Sequence, residues 1–567
     1  MGGAGTQQTW AEQDPTARLA PVRRWVADRR LALVVELFAV LPVVAMVFEV
    51  AASPRLQLLD YWDVLLRITN ADGTFDFGGI WVLQNEHPVM LPSLFYWLDA
   101  SLFGGDNRVL GYLTVAIAAG TVLLLRSALP KRLPAVLRAG LVVATAALVF
   151  SPHGIHNFAL GMSGSAWLTA NLLVVVALLL ARRGRWLAAW LVGLLACLSY
   201  GTAFAVWPAL FLLATMRGER WWRRLVPLVL LAGVLVAWLQ LRPSVAGQDG
   251  GQDVATVLYT FLTVVGHLWT GTMVDLAAIA GAGVLFGLLA LLTIPAARAR
   301  QLWFWWALGL YAVLAAGMIA TARVKFGADI GLASRYTSLS VLASVPLLVI
   351  LATVSYARAR RTAARFAVVA VGVGLLGFVL GAPTVREVRA ALEDVPLRAI
   401  AIREQLDSRF WTGITSTEAL KPRLEALDHY PFTDDFTIGC GGPELGDRLD
   451  VDEMRPVRVA DPDEPGPAGA VDTEERHGDT SLLRGWVTAG REGIRCVVVT
   501  NATGEVTGGG QYHLPRPDVA RSLSWAPSDM GFAVIAPTDP AGRIVVVLDD
   551  GRMLWLPGKA AAGKAPE

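Results

Sequence analysis

DYWDVLLRITNADGTFDFGGIWVLQNEHPVMLPSLFYWLDASLFGGDNR, residues 60–108, comes just after the first membrane-length apolar run of the chain. It carries Asp60, Asp63, Asp72, Asp76, Glu86, His87, Asp99 and Asp106 among aromatic residues. Acids beside a bilayer are costly to keep unless they are solvated or used. The stretch therefore reads as the first extracytoplasmic loop, residues 53–108, of a polytopic α-helical membrane protein, and its acids are the place to look for chemistry.

Composition agrees. Of 567 residues, 54% are hydrophobic and 17% charged, against roughly 25% charged in a soluble domain. Mean hydropathy is +0.50, and such a chain hides its apolar surface in lipid. A net charge of +2 argues for no nucleic-acid partner. Three cysteines exclude a disulfide scaffold and lack metal-ligand spacing.

Apolar runs recur at 31–52, 109–128, 136–151, 165–182, 186–200, 203–216, 225–241, 273–295, 302–321, 337–355 and 366–382. The basic clusters between them are RRWVADRR, RSALPKRLPAVLR, ARRGR, RGERWWRR, ARAR and YARARRTAAR. Placing every cluster on the cytoplasmic side closes the count at about eleven helices. Residues 254–272 do not fit as a further span, since they would carry ARAR outside; they read as an outer-face interfacial or re-entrant helix. The first run exceeds the apolar core usual for a signal peptide and reads as an uncleaved anchor.

This divides the chain into a cytoplasmic segment (1–30), a transmembrane domain (31–383), an extracytoplasmic helical region and linker (384–480), a small β-sandwich (481–557) and a disordered tail (558–567). Short β-rich runs such as IRCVVVTNA and RIVVVLDD, separated by Gly and Asp-Gly turns, carry the sandwich reading. Cys440 and Cys496 lie in this outer part, where a bridge is permitted by compartment.

The outer loops hold the candidate site. Asp60 and Asp63 are three apart and share a face on a continuing helix. A carboxylate there can take a proton from an acceptor hydroxyl, or hold a divalent cation (Mg2+ or Mn2+) with Glu86; alternatively both acids mark the water boundary. Asn85, Glu86 and His87 stand where an amphipathic stretch begins, and the first two can equally serve as its cap. His153 and His156 are a weak zinc signal, and Asn157 beside them is either a binding or a loop residue. Arg323, Lys325 and Arg335 form a cationic outer loop against the inside bias. Binding a phosphate or pyrophosphate would explain it; neutralisation by Asp329 is the plainer account.

Three segments, NEHPVMLPSLFYWLDASLFGGDNR, FSPHGIHNFALGMSG and FGADIGLASRYTSLS, resemble parts of a bacterial membrane-protein group related to the GT-C class of glycosyltransferases. The resemblance covers roughly residues 30–382. Members read NEHR and FGG-x-N in the first loop, Ser-Pro-x-x-x-x-Asn in the second, and Ser-Arg-Tyr before a late helix. Here Pro88 replaces the arginine after NEH, and His156 stands where an acid is common.

The resemblance implies inverting transfer of a sugar from a polyprenyl-phosphate donor to a cell-envelope glycan, lipid or protein acceptor outside a bacterial plasma membrane. It places the base at Asp60, or less directly Asp63. Glu86 assists catalysis, and Asn85, His87, Asn157, Arg323, Lys325, Arg335 and Tyr336 are the substrate contacts. The β-rich end resembles a domain appended to surface-glycan proteins. Two competing readings are a transporter or flippase of lipid-linked glycans, disfavoured by the scarcity of mid-helix charges and of repeats, and a non-catalytic glycan-binding membrane protein.

Overall fold

A computed structural model describes residues 29–242, 253–270, 272–359, 363–406, 417–457, 465–523, 525–539 and 541–557. The expectations for 1–28 and for the tail 558–567 fall outside these residues.

Nine helices among the described residues are long and apolar enough to cross a membrane: Arg29–Ala51, Asn107–Ala128, Ala135–Ala159, Gly161–Arg182, Trp221–Leu241, Val274–Leu292, Arg300–Phe326, Ser334–Arg358 and Ala363–Arg403. The sequence pointed to about eleven. The two other runs form shorter apolar helices, Trp186–Cys197 and Gly201–Met216, below the ~20 residues a perpendicular crossing needs. Val254–Trp269 is likewise short. It packs against the turn Ala328–Leu332, where a side chain in place of Gly331 would meet Thr263.

Ala135–Ala159, Gly161–Arg182 and Ser334–Arg358 are mostly buried and form the centre, whereas Trp221–Leu241 lies at the periphery. Helices approach closely where side chains are small: a Cβ on Gly161 would strike the backbone at Gly111. Outer faces stay apolar, with Phe48 70% and Phe286 74% exposed, surfaces matched to a lipid surround.

The helix ends segregate by chemistry. Tyr200, Arg323, Arg335 and the acid-bearing loop lie at one end, while Arg126, Arg182, Arg217, Arg300 and Arg358 terminate the same or neighbouring helices at the other. Arg300 and Arg323 belong to one helix, about 35 Å apart at 1.5 Å per residue.

The first loop folds as two helices, Tyr61–Ile68 and Met90–Phe103, the second ended by Gly104 in the left-handed region. Asn107 ties the loop down. Its amide donates to the carbonyls of Pro54 (3.0 Å) and Ala159 (2.8 Å), and its oxygen accepts from Gly161 N–H (2.8 Å).

Past the long apolar helices, the described residues form one continuous eight-stranded sheet rather than the expected two-sheet sandwich. Its strands are β1 (Arg455–Pro456), β2 (Pro467–His477), β3 (Thr480–Ala489), β4 (Ile494–Thr500), β5 (Val506–Leu514), β6 (Gly531–Pro537), β7 (Arg543–Leu548) and β8 (Met553–Leu556), in the order β1-β8-β7-β4-β5-β6-β3-β2. The sheet curls until Gly469 of β2 approaches Leu556 of β8, making a half-barrel. It begins before residue 481, because the acidic stretch assigned to a linker supplies β2. One face packs on Leu397 and Ile400, and the other closes on Val497, Val534 and Val546. Cys440 and Cys496 are disulfide-bonded.

Candidate functional site

Asp60 precedes the first turn of Tyr61–Ile68 and is half-buried. Facing it is a tight turn, closed by Gln84 N–H to the His87 carbonyl (3.0 Å) and His87 N–H to the Gln84 carbonyl (2.8 Å). Asn85 adopts φ +54° there, a conformation Asn tolerates better than most residues. Its amide donates to Asp60 Oδ2 at 3.0 Å. Glu86 follows, half-buried, with its carbonyl accepting from Trp238 Nε1 at 2.8 Å. The NEH segment is thus a turn clamped over Asp60, not a helix cap.

Burial and the neighbouring charge of Asp63 raise the pKa of Asp60 above the ordinary carboxylate value. A hydrogen bond from Gln84 and the guanidiniums of Arg335 and Arg323 pull the other way. One half-buried carboxylate therefore stands within the field of two arginines that come from the opposite part of the sequence. Arg67, also largely buried, adds positive charge near both aspartates and donates to the Leu83 carbonyl at 3.3 Å.

Arg323 Nη2 lies 2.9 Å from His87 Nε2. Arginine only donates, so Nε2 accepts and the ring is neutral with its proton on Nδ1. Burial, then repulsion from Arg323 and Arg335, holds the His87 pKa down at about 3. His87 is therefore no proton shuttle near neutrality; it orients Arg323.

Aromatic rings run from His87 to Arg335. His87 stacks on Tyr200 (4.3 Å, 24°), Tyr200 meets Trp167 (4.2 Å), and Trp167 meets Tyr336 (5.4 Å). The Arg335 guanidinium sits 5.1 Å from the Tyr336 ring centre. Asn157 is buried beneath: its amide donates to the Arg335 carbonyl (3.1 Å) and its oxygen accepts from Ser163 (3.1 Å), so it positions the Arg335 backbone. Beside Arg335 opens a cleft of about 510 Å³ that includes His156, Asp329, Ser334, Thr384 and Glu387.

Of the residues singled out from sequence, Asp60, Asp63, Asn85, Glu86, His87, Asn157, Arg323, Arg335 and Tyr336 all fall at this end. Lys325 does not join them. It is exposed and lies over its neighbour Phe326 (5.3 Å). Among the described residues no three of His, Cys, Asp and Glu gather as a group that could hold a metal ion. His153 is instead buried edge-on against His267 (5.3 Å).

Sequence reasoning missed Tyr200 and Trp167, because aromatic residues are plentiful at helix ends here and nothing local marks these two. It also missed the C-terminal contribution. The ring of His429 fills the space above Gly105, and its Nε2 lies 3.0 Å from the hydroxyl of Tyr61, next to Asp60. Since His429 Nδ1 faces the Tyr430 carbonyl at 2.6 Å, Nδ1 carries the proton and Nε2 accepts from Tyr61. No protein-family model, curated protein or solved structure matches the chain.

Proposed function

We propose that the chain is an inverting membrane glycosyltransferase of the GT-C kind, moving a sugar from a polyprenyl-phosphate donor to an extracytoplasmic envelope acceptor. The observation that carries this reading is the convergence of a half-buried carboxylate of raised pKa, Asp60, with two guanidiniums, Arg323 and Arg335. In the proposed reaction Asp60 takes the proton of the acceptor hydroxyl as its oxygen bonds to the anomeric carbon. The bond from that carbon to the phosphate oxygen breaks on the other face, and the departing phosphate is held by Arg323 and Arg335. A base with a pKa raised toward the working pH suits that task. The ledge of His87, Tyr200, Trp167 and Tyr336 offers flat apolar faces for a sugar ring or prenyl chain.

Two features support an extracytoplasmic site in a bacterial plasma membrane, with the N-terminus cytoplasmic. The arginine-rich helix ends lie opposite the acids, as the inside bias of positive charge requires. The disulfide Cys440–Cys496 suits an oxidising compartment, and its region contacts the acid loop through Arg55–Asp435 (2.9 Å).

Supplying membranes that contain the chain with a panel of radiolabelled polyprenyl-phosphate sugars tests the reading. Label leaving the lipid for an envelope acceptor supports transfer. Label that crosses the bilayer still attached to its lipid would instead establish a flippase.

A further inference from the structure

The end of the molecule opposite the acids holds a second concave site. A cleft of about 390 Å³ is lined by Arg132, Arg182, Arg217 and Arg300 together with Leu213 and Trp303, and among the described residues no carboxylate lines it. The four arginines come from four separate stretches of sequence, so their meeting is a product of the fold.

Two of them are fixed by backbone acceptors. Arg182 Nη1 donates to the Ala128 carbonyl (2.8 Å), and Arg217 Nη1 donates to the Arg182 carbonyl (2.7 Å). Arg217 is also paired with Glu219 (3.1 Å), which Arg223 shares (2.9 Å). Arg132, Arg182 and Arg300 form no ion pair among the described residues. Three guanidinium charges in a hollow therefore lack a counter-ion among the described residues. Basic pockets between membrane helices recognise anionic lipid headgroups, and the guanidinium fork suits phosphate oxygens. Trp303 and Leu213 give the same cleft an apolar wall, which a lipid needs and a soluble anion does not.

We infer that this cleft binds the headgroup of a phospholipid carrying two phosphates, on the membrane face remote from Asp60. Two phosphates match the surplus of three positive charges more nearly than one. The inference stands independently of the sugar-transfer reading, since it uses none of that site's residues.

Native mass spectrometry of the purified full chain, exchanged into detergent doped with tetra-acyl diphosphatidylglycerol, phosphatidylglycerol or phosphatidylcholine, tests it. The two-phosphate lipid is expected to be retained most strongly. The double variant R132Q/R300Q, both positions exposed, should weaken retention by roughly ten- to thirtyfold. Arg185→Gln, at the same end but outside the cleft, should leave it unchanged. Equal retention of phosphatidylcholine, or an equal loss in Arg185→Gln, would overturn the site by reducing it to general surface charge. Displacement of the lipid by inorganic pyrophosphate at equal concentration would overturn the lipid assignment in favour of a soluble diphosphate.

Discussion

Arg323 donates to Nε2 of His87 across 2.9 Å although 236 positions separate them in the chain. The contact joins the acid-bearing loop to the end of the long apolar helix Arg300–Phe326, and His87 in turn rests on Tyr200. Replacing His87 by Ala removes both the acceptor and the stacked face, and should lower transfer about 10- to 100-fold. His87→Gln restores an acceptor and should recover part of that loss. Steady-state rates at saturating and limiting donor check this, with the larger effect expected on donor KM.

Asp63 raises the pKa of Asp60, so its charge should be visible in the pH profile. The base works only when ionised, and activity therefore rises with pH through the Asp60 pKa. Asp63→Asn removes a like charge, lowers that pKa and should move the acid limb to lower pH. Arg335→Gln removes an opposite charge and should move it to higher pH. A pH–rate series on the three proteins reads both shifts.

Asp99 is an acid of the first loop that plays no part in the cluster. It is 2% exposed and accepts from Gln57 at 3.0 Å. Burial raises its pKa to about 8, so the folded chain holds a proton that the unfolded chain has released. That difference destabilises the fold increasingly as pH climbs from the unfolded value near 4 toward 8. Asp99→Asn removes the linkage and should raise the melting temperature more at pH 8 than at pH 5. The gain is at most about 4 kcal/mol at pH 7. Thermal unfolding at the two pH values checks the sign.

The disulfide joins residues 56 apart, Cys440 and Cys496. In the chain-entropy account a loop of that size is worth roughly 4 kcal/mol. The variant C440S/C496S should therefore expose the half-barrel to proteolysis while the membrane helices stay protected. Limited proteolysis followed by mapping of the fragments distinguishes these.

Much of this arrangement was legible in the residues. Long apolar runs located the nine helices of spanning length among the described residues, and the paired positive charges Arg323 and Arg335 located half of the candidate site. Other features leave no local trace. β2 reads as a linker because Pro467, Gly469 and its acids are poor strand formers, yet it pairs along β3 as an edge strand. Tyr200 and Trp167 acquire meaning only through the ring of His87. Lys325 looked equivalent to Arg323, but two residues further along, in the 3-10 turn that finishes the helix, it lies over Phe326 instead. The disulfide depends on how β4 meets the segment around Cys440, which spacing cannot supply.

The most direct measurement uses purified chain in liposomes with the labelled donor that membranes turn over, comparing the native protein with Asp60→Asn. The account predicts that the variant still binds donor while transfer falls by at least about a hundredfold. Transfer at the native rate by Asp60→Asn would contradict it.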